Sequence, residues 1–135
     1  MSSKGRPYRT FTHAGYEILV GKAAADNDYL TFRVAEPHDV WLHVAGGTPG
    51  SHVLIRNPEH GPVPAEVTER AAALAAWYSK ARNAARVEVH VCRAADVKKA
   101  RGAPAGQVQI TRYKSLRVAP APFDANEPDE APEGS

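Results

Sequence analysis

The chain has a single cysteine, Cys92, which excludes an internal disulfide and a multi-cysteine zinc site. It also lacks a signal-peptide pattern, and together the two absences predict a reducing, cytoplasmic setting. Long apolar runs are missing too: the longest, Ala71 to Tyr78, falls far short of the ~18 residues that a membrane span needs. The sequence thus predicts a soluble protein without membrane association. Its 135 residues suffice for one core and are too few for a multi-module enzyme.

The C-terminal end is without basic residues. From Asp124 onward the chain carries Asp124, Glu127, Asp129, Glu130 and Glu133 and no Lys or Arg, so residues 1–123 hold seventeen basic and ten acidic side chains, a net +7. Residues 79–117 alone hold ten basic side chains against Glu88 and Asp96. Such an excess suits a polyanion, because each neutralised phosphate releases condensed counterions. An ordinary solvated surface is the alternative.

Alternation is clearest from Asp39 to Val44. A period of two puts Val40, Leu42 and Val44 on one face of a strand and Asp39, Trp41 and His43 on the other. The first face reads as core and the second as a site. A loop with Gly46, Gly47, Pro49, Gly50, Ser51 and His52 follows, whose glycines let backbone approach a ligand closely, and Val53 to Ile55 returns as a second strand.

Residues 1–7 read as a flexible leader, and Tyr8–Thr12 with Tyr16–Val20 as a β-hairpin. Asn27 is a candidate cap for a short helix at about 28–33 that ends before Pro37. Pro64 suits the first turn of a long helix at about 64–82, with Glu66 and Glu69 near its positive end and Lys80 and Arg82 near its negative end. Its apolar stripe is Val67, Ala71, Leu74, Ala75 and Tyr78. Val87, Val89 and Val91 alternate with Glu88, His90 and Cys92 as a half-exposed strand. Gln107–Thr111 and Ser115–Val118 supply short strands. Residues 121–135, rich in Pro, Ala and acid, bury too little apolar surface to order themselves. The expected fold is α+β: a mostly antiparallel sheet, the long helix packed on it, and the short helix, over residues 8–120.

Several segments resemble the NFACT-R domain, a predicted RNA-binding domain. They are Gly21 and Lys22 followed by Asn27 to Thr31; Asp39, Trp41 and His43 with Pro49 to Val53; Ala75 with Trp77 to Arg82; Val97 to Lys99; and Gly102 to Pro104 with Gly106 and Val108. Their order and spacing run from about Arg9 to Pro120. Two departures stand out: Ala23 replaces the family's common Asn, and the stretch between His43 and Pro49 is one residue longer. The resemblance implies a role in translation. NFACT-R domains form the C-terminal part of ribosome quality-control factors, RqcH and fibronectin-binding-protein-A-like proteins among them, which bind blocked large ribosomal subunits and recruit tRNA. The NFACT-N, helix-hairpin-helix and coiled-coil parts of those factors do not fit in this chain, so the resemblance implies a stand-alone bacterial version. Its implied partners are tRNA or the large ribosomal subunit, with tRNA-modification or quality-control proteins beside them.

Residue chemistry agrees with RNA. On an exposed strand face Trp41 would be a stacking platform, worth roughly 1–3 kcal/mol per base. Asp39 would accept hydrogen bonds from a base or a 2′-OH, and His43 would donate, accept or stack. Gly50, Ser51 and His52 would offer the loop to a phosphate, and Lys80, Arg82, Lys98, Lys99 and Arg101 would hold the RNA backbone. In the competing reading Trp41 packs beneath the helix while Asp39 and His43 satisfy each other. A hydrolase built on Asp39, His43, Ser51 and His52 has the residue types of a triad or metal site but lacks the Gly-x-Ser-x-Gly turn and any common zinc spacing. An adaptor that acts through its acidic tail is the third reading. The sequence implies no catalytic residue, no metal and no cofactor.

Overall fold

The computed structural model describes residues 5–123. Their architecture is the expected α+β one. Strands β1 (Tyr8–His13), β2 (Tyr16–Gly21), β3 (Val40–Val44), β4 (Val53–Ile55), β5 (Val87–Arg93) and β8 (Lys114–Val118) form an antiparallel sheet in the order β1-β2-β4-β3-β5-β8. A separate ribbon pairs β6 (Val97–Lys98) with β7 (Gln109–Ile110). The β1–β2 hairpin closes through Ala14 and Gly15, both at positive φ (51° and 85°), the geometry whose twist matches a two-residue hairpin turn.

Helix α2 (Ala65–Trp77) covers one face of the sheet. Ile18, Val20, Leu42, Val44, Val53, Ile55, Val87, Val89 and Val91 meet Val67, Ala71, Leu74 and Ala75 there, the period-two and helical stripes interlocking as read from the sequence. The helix is shorter than expected. Pro64 is its N-cap, and the chain leaves the helix at Tyr78 (φ −93°, ψ 43°), where Ser79 Oγ donates to Ala76 O at 2.7 Å and takes over a terminal carbonyl. Phe123, inside the expected tail, is buried against Phe11, ring centroids 4.5 Å apart. Residues 124–135, and with them the rest of the expected tail, lie outside the described residues, as do residues 1–4 of the expected leader.

The opposite face is the main correction. It is not open: helix α1 (Ala24–Tyr29) and the π-helical turn that continues it (Leu30–Val34) cover Leu19 and Leu54, while the β6–β7 ribbon lays Val97, Val108 and Ile110 over Trp41 and Cys92. The short helix therefore starts earlier than expected, with Ala23 as its N-cap and Asn27 buried inside it. Ala23 gives no side-chain cap, so the helix start relies on the Ala23 N–H donating to Asp26 Oδ2 at 3.0 Å. Among the described residues no helix is long and apolar enough to cross a membrane.

Candidate functional site

The site is built on the loop from β3 to β4. Gly46 and Gly47 both hold positive φ (76° and 73°), a left-handed pair that residues with Cβ rarely adopt, so the loop turns tightly there. Further on, the Ser51 N–H donates to Tyr78 O (3.0 Å) and the Lys80 N–H to Pro49 O (2.9 Å). A Cβ on Gly50 would stand 2.7 Å from Ser79 Cβ, so this bridge between loop and helix end requires glycine. It brings Lys80 and Arg82 beside the loop. The result is a groove of about 800 Å³ lined by the Gly46–Ser51 loop, His43, His52, His90, Lys22, Lys80 and Arg82, with no acidic side chain among its described lining residues. A groove whose described side-chain lining is basic, with exposed loop backbone, is electrostatically suited to an anion. Arg82 is oriented by its Nε–H bond to Trp77 O (2.7 Å) and by stacking over the Trp77 ring (4.4 Å).

Behind the groove floor runs a polarised chain. Trp41, only 2% exposed, donates its Nε1–H to Thr31 Oγ1 (3.0 Å). Thr31 donates to His52 Nδ1 (2.7 Å), and His52 donates Nε2–H to Gly106 O (3.0 Å). Only the neutral Nε2–H tautomer satisfies every partner, since a carbonyl accepts and never donates. Asn27 Oδ1 accepts the His52 backbone N–H at 3.1 Å. The rings of Trp41, His43 and His52 pack together with centroids 5.1–5.9 Å apart. His43 donates to Gly50 O (3.3 Å).

Burial, aided by the neighbouring His43, pushes the His52 pKa down to about 4, and burial lowers that of His43. Between the lowered value and the ordinary 6.5 the unfolded chain binds the proton and the folded one does not, so stability is full above pH 6.5 and falls as pH drops toward 4. Urea titrations at pH 7 and pH 4 should differ by about 3 kcal/mol from His52, and His52→Gln should remove most of that difference. Cys92, buried beside Trp41, has its thiol pushed up to about 12, which keeps it protonated and unreactive.

The residues singled out by sequence separate into three groups. His43, Gly50, Ser51, Lys80 and Arg82 meet at the groove, whereas His52 lies beneath it, 1% exposed and with both ring nitrogens engaged, so the expected phosphate contact from its side chain is not available. Asp39 does not join them. It is 1% exposed, accepts from the Asn57 N–H (2.7 Å) and the Glu36 N–H (2.9 Å), and pairs with Arg56 at 2.9 Å. Its carboxylate is consumed in fastening the turns at either side of the strand. Trp41 borders the groove from behind but its indole is sequestered, so the expected open stacking face does not exist. Lys99 is likewise committed: its ammonium pairs with Asp28 (3.0 Å) and donates to Pro104 O and Gln107 O, while Asp28 also accepts the Gly106 N–H (3.0 Å). It clamps the 104–107 loop onto α1. Lys98 and Arg101 are exposed but lie outside the groove lining.

Neither hydrolase arrangement assembles. Asp39 is occupied by Arg56, His43 faces Gly50 O, and both His52 nitrogens are engaged. No group of three or more His, Cys, Asp or Glu among the described residues is placed to hold a metal ion. Sequence reasoning missed Thr31 and the alignment of His90 with His43. Thr31 ends the Asn27 to Thr31 segment of the family resemblance, but a helical Thr by itself does not point to a buried bond with His52; His90 does carry a signal, because it occupies the polar phase of β5 and pairs directly with His43.

An antiparallel sheet sandwiched between a helix and a smaller cover, with a basic groove along one loop, defines an α+β domain suited to polyanions. The chain belongs to the NFACT-R family: the family model described as the NFACT protein RNA binding domain matches residues 6–112. It is 43% identical over 108 residues to the Rqc2 homolog RqcH of Bacillus subtilis (strain 168) and 42% identical over 106 residues to that of Streptococcus suis (strain 05ZYH33). These matches take in 79% and 76% of this chain but only 18% of either relative. The solved C-terminal part of the fibronectin/fibrinogen-binding protein from Streptococcus suis superposes with a TM-score of 0.77 at 40% identity, covering 85% of this chain and 45% of that one.

Proposed function

We propose that this protein is a non-catalytic RNA-binding domain of the cytoplasm that engages tRNA or large-subunit ribosomal RNA in ribosome quality control or tRNA metabolism. The observation that carries the reading is the groove in which Lys80 and Arg82 stand beside a glycine-rich loop, with no acidic side chain among the described lining residues. Membership of an RNA-binding family supports it, and the similarity to RqcH proteins supports a ribosome-linked setting. In this reading the loop at Gly50 and Ser51 and the Lys80 and Arg82 side chains hold phosphates, and His43 meets a base or ribose. Lys98 and Arg101 extend the cationic surface. Trp41, His52 and Lys99 shape the site from behind, while Asp39 fastens the opposite end of β3.

Salt-titrated binding to tRNA and to large ribosomal subunits tests this. Affinity should fall linearly on a log–log plot, and a Lys80→Ala/Arg82→Ala double variant should flatten the slope by about 1–2, one counterion-release increment of roughly 0.7–0.9 per lost phosphate contact. Absence of RNA binding by the intact protein at low salt would overturn the proposal.

A further inference from the structure

Within the groove Trp41 is sequestered and Tyr78 is partly buried against the helix-side core, so neither large ring presents the open face that single-stranded RNA binders use. The structure offers a replacement at its margin. Among the described residues three large hydrophobic side chains are exposed, Tyr29, Phe32 and Tyr113; the first two lie on α1 and its π-helical continuation. Tyr113 is 52% exposed and its ring rests against His90, centroids 4.3 Å apart at 44°. His90 itself lines the groove.

Strand register connects this ring to the loop. His43 pairs with His90 across β3 and β5, and His90 pairs with Ser115 across β5 and β8. The Tyr113 ring reaches back onto His90, and the register places Ser115, two residues from Tyr113, two strand spacings or about 9–10 Å from the His43 end beside Gly50. That is a span one nucleotide can bridge between its phosphate and its base. Arg112 and Lys114, both exposed, flank Tyr113 in the chain and supply charge for the neighbouring phosphates. A half-exposed tyrosine backed by an imidazole and flanked by cations has the composition of a sequence-tolerant stacking platform.

We propose that Tyr113, supported by His90, is the surface on which an unpaired RNA base stacks at the mouth of the groove. The inference rests on the RNA-binding reading and specifies single-stranded RNA. A duplex keeps its bases stacked on each other and presents no free face to the ring.

The test uses the full chain with an oligoriboadenylate of about twelve nucleotides, within the usual range of single-strand site sizes, and a duplex RNA of equal length. Tyr113→Ala should weaken single-strand binding about 5- to 150-fold, leave duplex binding and the salt slope unchanged, and keep the unfolding transition of the parent. Tyr113→Phe, which retains the ring, should stay within about twofold on both RNAs. If the intact protein binds RNA and Tyr113→Ala binds the single strand as well as the parent does, this inference is wrong and the RNA-binding reading stands. Equal loss on single strand and duplex also overturns it. If the intact protein binds neither RNA, both readings fall together.

Discussion

Trp41→Ala should lower the melting temperature by about 10–20 °C, because truncating a buried tryptophan costs about 3–5 kcal/mol in transfer and cavity terms. The indole fills the space between the sheet and the ribbon, in contact with Cys92, Val97, Val108 and Ile110. Its N–H also saturates Thr31, which holds His52. Losing the ring therefore loosens the ribbon and the imidazole at once. Trp41→Phe should be milder, since it keeps much of the apolar volume and gives up the Thr31 bond, worth about 1 kcal/mol. Calorimetry of both variants, with RNA affinity measured well below their transitions, separates the two roles. Near-parent affinity in folded Trp41→Phe is expected; a folded variant of unchanged stability with strongly reduced affinity would make Trp41 a base contact after all.

Gly21→Ala should destabilise by about 2–4 kcal/mol, a combination of overpacking and a lost buried hydrogen bond. A Cβ at Gly21 would overlap Asn27 Oδ1, the atom that accepts the His52 backbone N–H. On the other side of the same strand contact, the Gly21 N–H donates to His52 O at 3.0 Å. The methyl group and the Asn27 amide cannot share that space, and displacing the amide strands a buried donor. A double-mutant cycle gives the sharper measurement. Asn27→Ala alone leaves the His52 N–H unpaired, whereas Gly21→Ala/Asn27→Ala removes the clash, so the double variant should cost clearly less than the two single changes added. Strict additivity in chemical denaturation would mean that the steric conflict is relieved elsewhere.

The legible and illegible parts of this protein divide by the range of the interactions that decide them. Val40, Leu42 and Val44, Val87 to Val91 and the Val67 to Ala75 stripe were readable because periodicity is local and the α2 face follows it directly. The end of α2 was not. Helical pattern and terminal charges continue to Arg82, yet Ser79 and the Gly50 bridge, nearly thirty residues away, terminate the helix at Trp77. Similarly, the polar phase of β3 was read correctly as a face, but whether solvent or another element meets it depends on a ribbon more than fifty residues downstream.

The sequence by itself determined the class of this protein: an α+β chain, basic through its body, with one long amphipathic helix, a glycine-rich loop after its best-patterned strand, and ordered motifs of the NFACT-R family. These follow from side-chain period, charge and backbone permissiveness, each a property of neighbours in the chain. Only the tertiary structure decided which residues do what within that class. It withdrew Trp41, Asp39 and Lys99 into the packing and, among the described residues, left Tyr29, Phe32 and Tyr113 as the exposed aromatic rings. The physical reason is that alternation gives a side chain its face but not its cover. An indole, a carboxylate or an ammonium on a polar-phase position is a contact for ligands only if no other part of the chain satisfies it first.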